Sequence, residues 1–172
     1  VTPGDPEGFD AIIQGDVNLT FGGGTIDTVF GGSNIKGNVE GKIIVNINDE
    51  GSTDCPLVVH NVYGGGRNAS YTPKVSGCYP EVNVLDGTIS KKQKTDSNGD
   101  PVLDENGDPI YEGGNVFGGG FGSGAVVTTT STYGPKVTIG GSTTSTDEAV
   151  VEGNVYGAGH GANVVGNTHV IL

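Results

Sequence analysis

A short phrase recurs along the chain: a β-branched residue, an aromatic, then a run of glycines. It occurs as Val29-Phe30-Gly31-Gly32, Val62-Tyr63-Gly64-Gly65-Gly66, Val116-Phe117-Gly118-Gly119-Gly120 and Val155-Tyr156-Gly157-Ala158-Gly159, with a degenerate copy at Thr20-Phe21-Gly22-Gly23-Gly24. Such self-similarity marks a repeat architecture, in which one unit cannot bury its apolar face alone but stacked units can. Glycine runs let the backbone turn sharply with no Cβ in the way.

Alternating runs precede most copies: Val17-Asn18-Leu19-Thr20-Phe21, Ile43-Ile44-Val45-Asn46-Ile47, Val82-Asn83-Val84-Leu85 and Val137-Thr138-Ile139, with His169-Val170-Ile171-Leu172 closing the chain. Period two means a strand with one face buried and one wet. A turn such as Asp86-Gly87 or Gly140-Gly141 often follows. The copies lie 33, 54 and 39 residues apart, from Val29 to Val62, Val116 and Val155. A solenoid absorbs such unevenness in loops between coils, whereas propeller blades of fixed length do so less well. The pattern predicts an all-β solenoid. Val17, Leu19, Ile43, Val45, Ile47, Val82, Val84, Val137 and Ile139 should point inward. Val29, Val62, Val116 and Val155 should form a second inward ladder. Phe30, Tyr63, Phe117 and Tyr156 should stack on a common face. The alternative is an antiparallel β-sandwich or small propeller.

Composition narrows the function. The chain has 172 residues, 33 of them glycine, and a net charge of −12 with Arg67 as the sole arginine. No basic stripe is present to meet phosphates, which argues against a nucleic-acid partner. No apolar run is long enough to cross a bilayer, so membrane insertion is not expected of this segment. Val1 opens no signal peptide and Leu172 falls within an apolar strand, so both ends are expected to be cuts in a longer protein, with residues 1–172 forming one solenoid domain.

Cys55 and Cys78 flank the second glycine phrase in variable stretches. Turns on successive coils could bring them together, and a disulfide formed in an oxidising compartment is the expectation. Residues 91–114 break the repeat with two acidic turns, Asp96-Ser97-Asn98-Gly99-Asp100-Pro101 and Asp104-Glu105-Asn106-Gly107-Asp108-Pro109. Asn-Gly between alternating residues signals a hairpin, so the insertion should project as one, with strands at about 90–95 and 109–112. Asp96, Asn98, Asp100, Asp104, Asn106 and Asp108 also alternate hard oxygens, which makes them weak calcium candidates. The glycine and proline positions depart from the EF-hand loop. No other cofactor is expected. Threonines at Thr128-Thr129-Thr130 and Thr143-Thr144 lack a fixed place in every coil and read as wet-face residues. His60, His160 and His169 have no metal-ligand spacing. Asp27 and Asp86 lie near turns with no recurring basic residue beside them, and no nucleophile elbow, P-loop or zinc motif is present.

The segments Asn61 to Gly66, Asn115 to Gly120 and Asn154 to Gly159, together with Val137-Thr138-Ile139-Gly140-Gly141, resemble repeats in large secreted surface proteins of anaerobic Gram-negative commensal bacteria. The likeness runs from about Gly15 to Leu172, with the long insertion and Ala158 as departures. It implies a right-handed parallel β-helix and an adhesin-like or stalk-like role, and it carries no catalytic residue. The reading is therefore a non-enzymatic, extracellular or cell-surface structural and adhesive module. Its partner would be a glycan or protein on another cell, and its units could stack end to end. The competing reading is a carbohydrate-active β-helix enzyme, a polysaccharide lyase or glycoside hydrolase. That chemistry needs two facing carboxylates in one groove beside an aromatic such as Tyr111 or Tyr133.

Overall fold

The computed structural model describes residues 11–49, 54–141 and 148–172. The second threonine tract, Thr143 to Thr146, lies outside them. Among the described residues every regular element is a strand. In order these are β1 (Ile12–Ile13), β2 (Val17–Phe21), β3 (Gly24–Phe30), β4 (Asn38–Val39), β5 (Ile43–Ile47), β6 (Leu57–Tyr63), β7 (Pro80–Val84), β8 (Thr88–Ile89) and β9 (Lys91–Gln93). They continue as β10 (Tyr111–Gly113), β11 (Asn115–Phe117), β12 (Val127–Thr128), β13 (Lys136–Ile139), β14 (Val150–Val151), β15 (Val155–Tyr156), β16 (Val164–Val165) and β17 (His169–Ile171). No helix among the described residues is long and apolar enough to cross a membrane.

The fold is all-β with parallel sheets, which corrects the antiparallel alternative. The alternating runs form one five-stranded sheet, in the order β17-β13-β7-β5-β2. Its register places Leu19 beside Val45, Val45 beside Val82, Val82 beside Val137, and Val137 beside Val170. The repeated phrases form the second sheet, where β3, β6, β11 and β15 run in parallel and β8 and β14 extend the first half of β6. Neighbouring strands in the first sheet are separated by 26, 37, 55 and 33 residues of chain, from Val17 to Ile43, Ile43 to Pro80, Glu81 to Lys136 and Lys136 to His169. Identical register across such unequal connections means that loops take up the difference.

The core lies between the two sheets. Ile43, Val45, Ile47, Val82, Val84 and Val137 are buried from one side, and Val29, Leu57, Val59, Val62, Ile89 and Val116 from the other. Val17, Leu19, Ile139 and Val155 pack on this cluster half-buried, because they sit toward the edges of the stack. Each fully buried aliphatic contributes about 1.5–3 kcal/mol relative to exposure. The first glycine of the phrase sits against both its neighbour and the opposite sheet. A Cβ on Gly31 would lie 2.5 Å from the Gly64 carbonyl oxygen and 2.5 Å from Ile43 Cγ2. Beyond the first sheet, aspartates cap the strands that follow: Asp49 accepts from the Leu57 N–H at 2.8 Å and Asp86 from the Gly87 N–H at 2.6 Å.

The insertion opens as the expected hairpin, with β9 antiparallel to β10 and Gln93 opposite Tyr111. Its strands are shorter than the sequence suggests. Past Gln93 the chain closes a ring: Val102 N–H bonds Lys94 O at 2.9 Å, Ile110 N–H bonds Val102 O at 2.9 Å, and Lys94 N–H bonds Ile110 O at 2.8 Å. Two equivalent turns build it. Asp96 Oδ1 accepts the N–H groups of Asn98 and Asp100, at 2.8 and 3.0 Å, and Asp104 Oδ1 those of Asn106 and Asp108, at the same distances. An aspartate that bonds its own downstream backbone in this way sets the turn locally and diverts the chain from a two-stranded ladder.

Candidate functional site

The four phrase aromatics stack into one ladder. Phe30–Tyr63, Tyr63–Phe117 and Phe117–Tyr156 have ring centroids 4.9, 4.7 and 4.7 Å apart and interplanar angles of 11°, 3° and 9°. This spacing is the separation of neighbouring strands, so the backbone register imposes it. Each contact adds about 0.5–1.5 kcal/mol beyond burial. Tyr63 and Phe117 are buried, while Tyr156 ends the stack exposed. Because neighbouring rings cover each other's faces, the inner rings offer edges outward.

Two columns flank the ladder. The residue four past each phrase aromatic bridges to its counterpart in the next copy: Asn34 to Arg67, Arg67 to Phe121, and Phe121 to His160. On the other side Thr28 lies beside Asn61, Asn61 beside Asn115, and Asn115 Oδ1 accepts the Asn154 N–H at 3.0 Å. Between the columns runs a groove with two hollows. One, of about 400 Å³, is lined by Asp27, Thr28, Phe30, Asn61, Tyr63, Arg67 and Phe121. The other, of about 360 Å³, is lined by residues including Asn115, Phe117, Asn154, Tyr156 and His160. Phe121 stands crosswise to the ladder, at 75° and 5.6 Å from Tyr63. His160 lies 5.4 Å from Phe117 at a shallow angle, and its Nδ1 is 3.4 Å from the Tyr63 hydroxyl.

The electrostatics of the groove are simple. Lys92, carried by the insertion, bonds the Asp27 carboxylate and holds it below the usual carboxylate range. Burial pushes the Tyr63 phenol up to about 12, so it stays neutral at physiological pH. The Arg67 side chain is exposed and has no hydrogen-bond or ion-pair partner among the described residues. Among the described residues Asp27 is the one carboxylate lining either hollow, and it is ionised. The described residues of the groove thus offer hydrogen-bond donors and apolar edges.

The remaining sequence candidates fall elsewhere. Cys55 and Cys78 are unpaired in the structure, Cys55 exposed and Cys78 half-buried. Cys55 sits against Gly23, whereas the Cys78 carbonyl accepts from Thr129, on a different part of each pass. The insertion's Asp96 and Asp104 carboxylates are held low by bonds from their own turns' N–H groups. No three Asp, Glu, His or Cys side chains gather as a metal site among the described residues. His60 Nδ1 donates to the Ser90 carbonyl at 2.8 Å, and His169 packs edge-on to Tyr133. Tyr111 and Tyr133 are exposed outside the two hollows. Asp27 does have a basic neighbour, Lys92, which the sequence concealed because 65 residues separate them. The column Arg67, Phe121 and His160 was missed as well, although each lies four residues after the phrase aromatic. No family model, curated protein or solved structure matches the chain.

Proposed function

We propose that the chain is a right-handed parallel β-solenoid that serves as a non-enzymatic structural and adhesive module of a bacterial surface protein, outside the cell, and that it engages a glycan on another cell. The observation that carries this reading is the in-register stack of phrases, Val29-Val62-Val116-Val155 inside and Phe30-Tyr63-Phe117-Tyr156 beside them. Stacking of this kind builds an elongated body in which each pass contacts its neighbours, with a binding groove running along it. Val165, Val170 and Ile171, exposed at one edge, are the face by which units would join end to end. Against the enzyme reading, glycoside hydrolysis needs two carboxylates, one kept protonated as the acid. Among the described residues the groove has Asp27 alone, already ionised by Lys92.

The test is to screen the purified chain for binding on a glycan array and, separately, to incubate it with soluble polysaccharides and follow reducing ends and unsaturated products. Saturable binding without product is expected. Turnover of any polysaccharide would establish the enzyme reading, and absence of binding to every glycan would remove the adhesive role.

A further inference from the structure

The chain's sole arginine stands at the groove with its charge unanswered. Arg67 lines the hollow with Asn61, Phe30, Tyr63 and Phe121, and no described side chain pairs with it. The one described acid in that hollow, Asp27, is already neutralised by Lys92. A guanidinium beside an apolar floor presents a planar fork matched to a carboxylate, which it binds bidentately. The opposite wall supplies the Asn61 amide and the Thr28 hydroxyl oxygen, whose proton goes to Asp27 at 3.2 Å, groups suited to hydroxyl recognition. The floor consists of the Phe30 and Tyr63 ring edges, and the Phe121 ring beside Arg67 stands crosswise to them, together suited to the C–H faces of a sugar.

From this geometry we infer that the groove binds a sugar bearing a single carboxylate at the end of a glycan chain, with Arg67 as the carboxylate receptor. This rests on the glycan-binding reading above and narrows it to a ligand class. A polyanionic polymer is disfavoured, because the chain's net charge of −12 repels an extended line of negative charge. One terminal carboxylate meets the local positive site within a Debye length of about 8 Å at physiological salt. The Asn61 wall and the aromatic floor favour the sugar over a peptide C-terminus, which carries no ring of hydroxyls.

Titration calorimetry of the intact chain tests this with four probes: sialyllactose, a disaccharide ending in glucuronic acid, neutral lactose, and a short peptide with a free C-terminus. At least one acidic sugar should bind, lactose more weakly, and the two acidic probes distinguish a sialic from a uronic ligand. Arg67→Gln should weaken acidic-sugar binding about tenfold or more, the size of a lost charge-assisted contact, and lactose binding by a clearly smaller factor. Its unaltered melting temperature would show that the fold is kept. Equal affinity of Arg67→Gln and wild type, equal affinity for lactose and the acidic sugars, or preference for the peptide would overturn the inference. If Arg67-independent glycan binding persists, the adhesive reading stands and only the ligand class fails. If no glycan binds wild type, both fail.

Discussion

Glycine in the repeated phrase is required by close approach as well as by turning, and Gly64→Ala isolates that requirement. The Gly64 backbone needs no left-handed conformation, yet an added methyl would collide with the Gly118 carbonyl oxygen of the next pass. It would also stand 3.1 Å from both Pro80 Cβ and Val82 Cγ2 in the opposite sheet. Backbone cannot yield as a flexible side chain can, so the passes must separate. Overpacking of this kind costs about 1–3 kcal/mol. Separation also loosens the bonds from Gly64 N–H to Phe117 O and from Gly31 N–H to Tyr63 O, each 2.9 Å, worth about 1 kcal/mol net apiece if lost. The expected destabilisation is about 2–4 kcal/mol, a fall in melting temperature of roughly 5–15 °C for a chain of this size. Two controls separate the causes. Gly15→Ala meets nothing within 4 Å and should change stability by less than about 0.5 kcal/mol. Gly140→Ala also meets nothing, but its φ of +83° makes the substitution cost about 1–2 kcal/mol. Calorimetric melting of all three checks the order. If Gly64→Ala is as mild as Gly15→Ala, or milder than Gly140→Ala, close packing of the passes is not what the glycine serves.

Four further outcomes rest on particular contacts. Burial pushes the Glu81 carboxyl up, but bonds from Lys42 and Lys136 outweigh it and hold the group below 4.5, so its stabilisation is present above that pH and lost as pH falls through the lowered folded value. Burial lowers Lys42, but Glu81 outweighs it and raises it above 10.5, so its stabilisation is lost as pH rises through the raised folded value; urea midpoints should fall at both extremes, and Glu81→Gln should flatten the acid limb. Tyr71→Phe removes the buried hydroxyl's 2.8 Å bond to Gly41 O and should cost about 1–3 kcal/mol in denaturant unfolding by leaving that carbonyl unpaired. Replacing residues 94–110 by Asn-Gly should leave the melting temperature within a few degrees, and the intact chain should give no calorimetric heat with millimolar calcium, because Asp96 and Asp104 already serve their own turns.

The sequence declared the parts of the fold that repeat. Alternation in Ile43-Val45-Ile47 named the buried face, and the four phrases named the aromatic ladder. Features with no period stayed hidden. Leu57 and Val59 precede the phrase yet belong to the same strand, because β6 extends upstream of where the glycine signal begins. Tyr71, Ala69 and Ala125 are buried where no copy of a motif marks them. The groove's far wall is made by isolated bridges at Arg67, Phe121 and His160, whose side chains share no chemical type. Only their common offset from the aromatic links them. In the insertion, Asn-Gly signalled turns correctly, but the carboxylate-to-backbone bonds of Asp96 and Asp104 decided the path between them. Likewise, turn positions near Cys55 and Cys78 carried no information about which way each thiol faces.

Cysteine cross-linking tests the stacked register most directly. With Cys55 and Cys78 replaced by serine, cysteines at Asn61 and Asn115, or at Asn115 and Asn154, occupy neighbouring strands. Their Cα separation of about 5 Å lies within disulfide range. Asn61 and Asn154 are two strands apart, at about 10 Å, beyond it. Mild oxidation followed by mapping of cross-linked peptides should give both neighbouring disulfides and none between positions 61 and 154. A disulfide between 61 and 154 as abundant as the other two, or none at any pair in folded protein, would contradict the one-upon-another stacking of the repeated phrase.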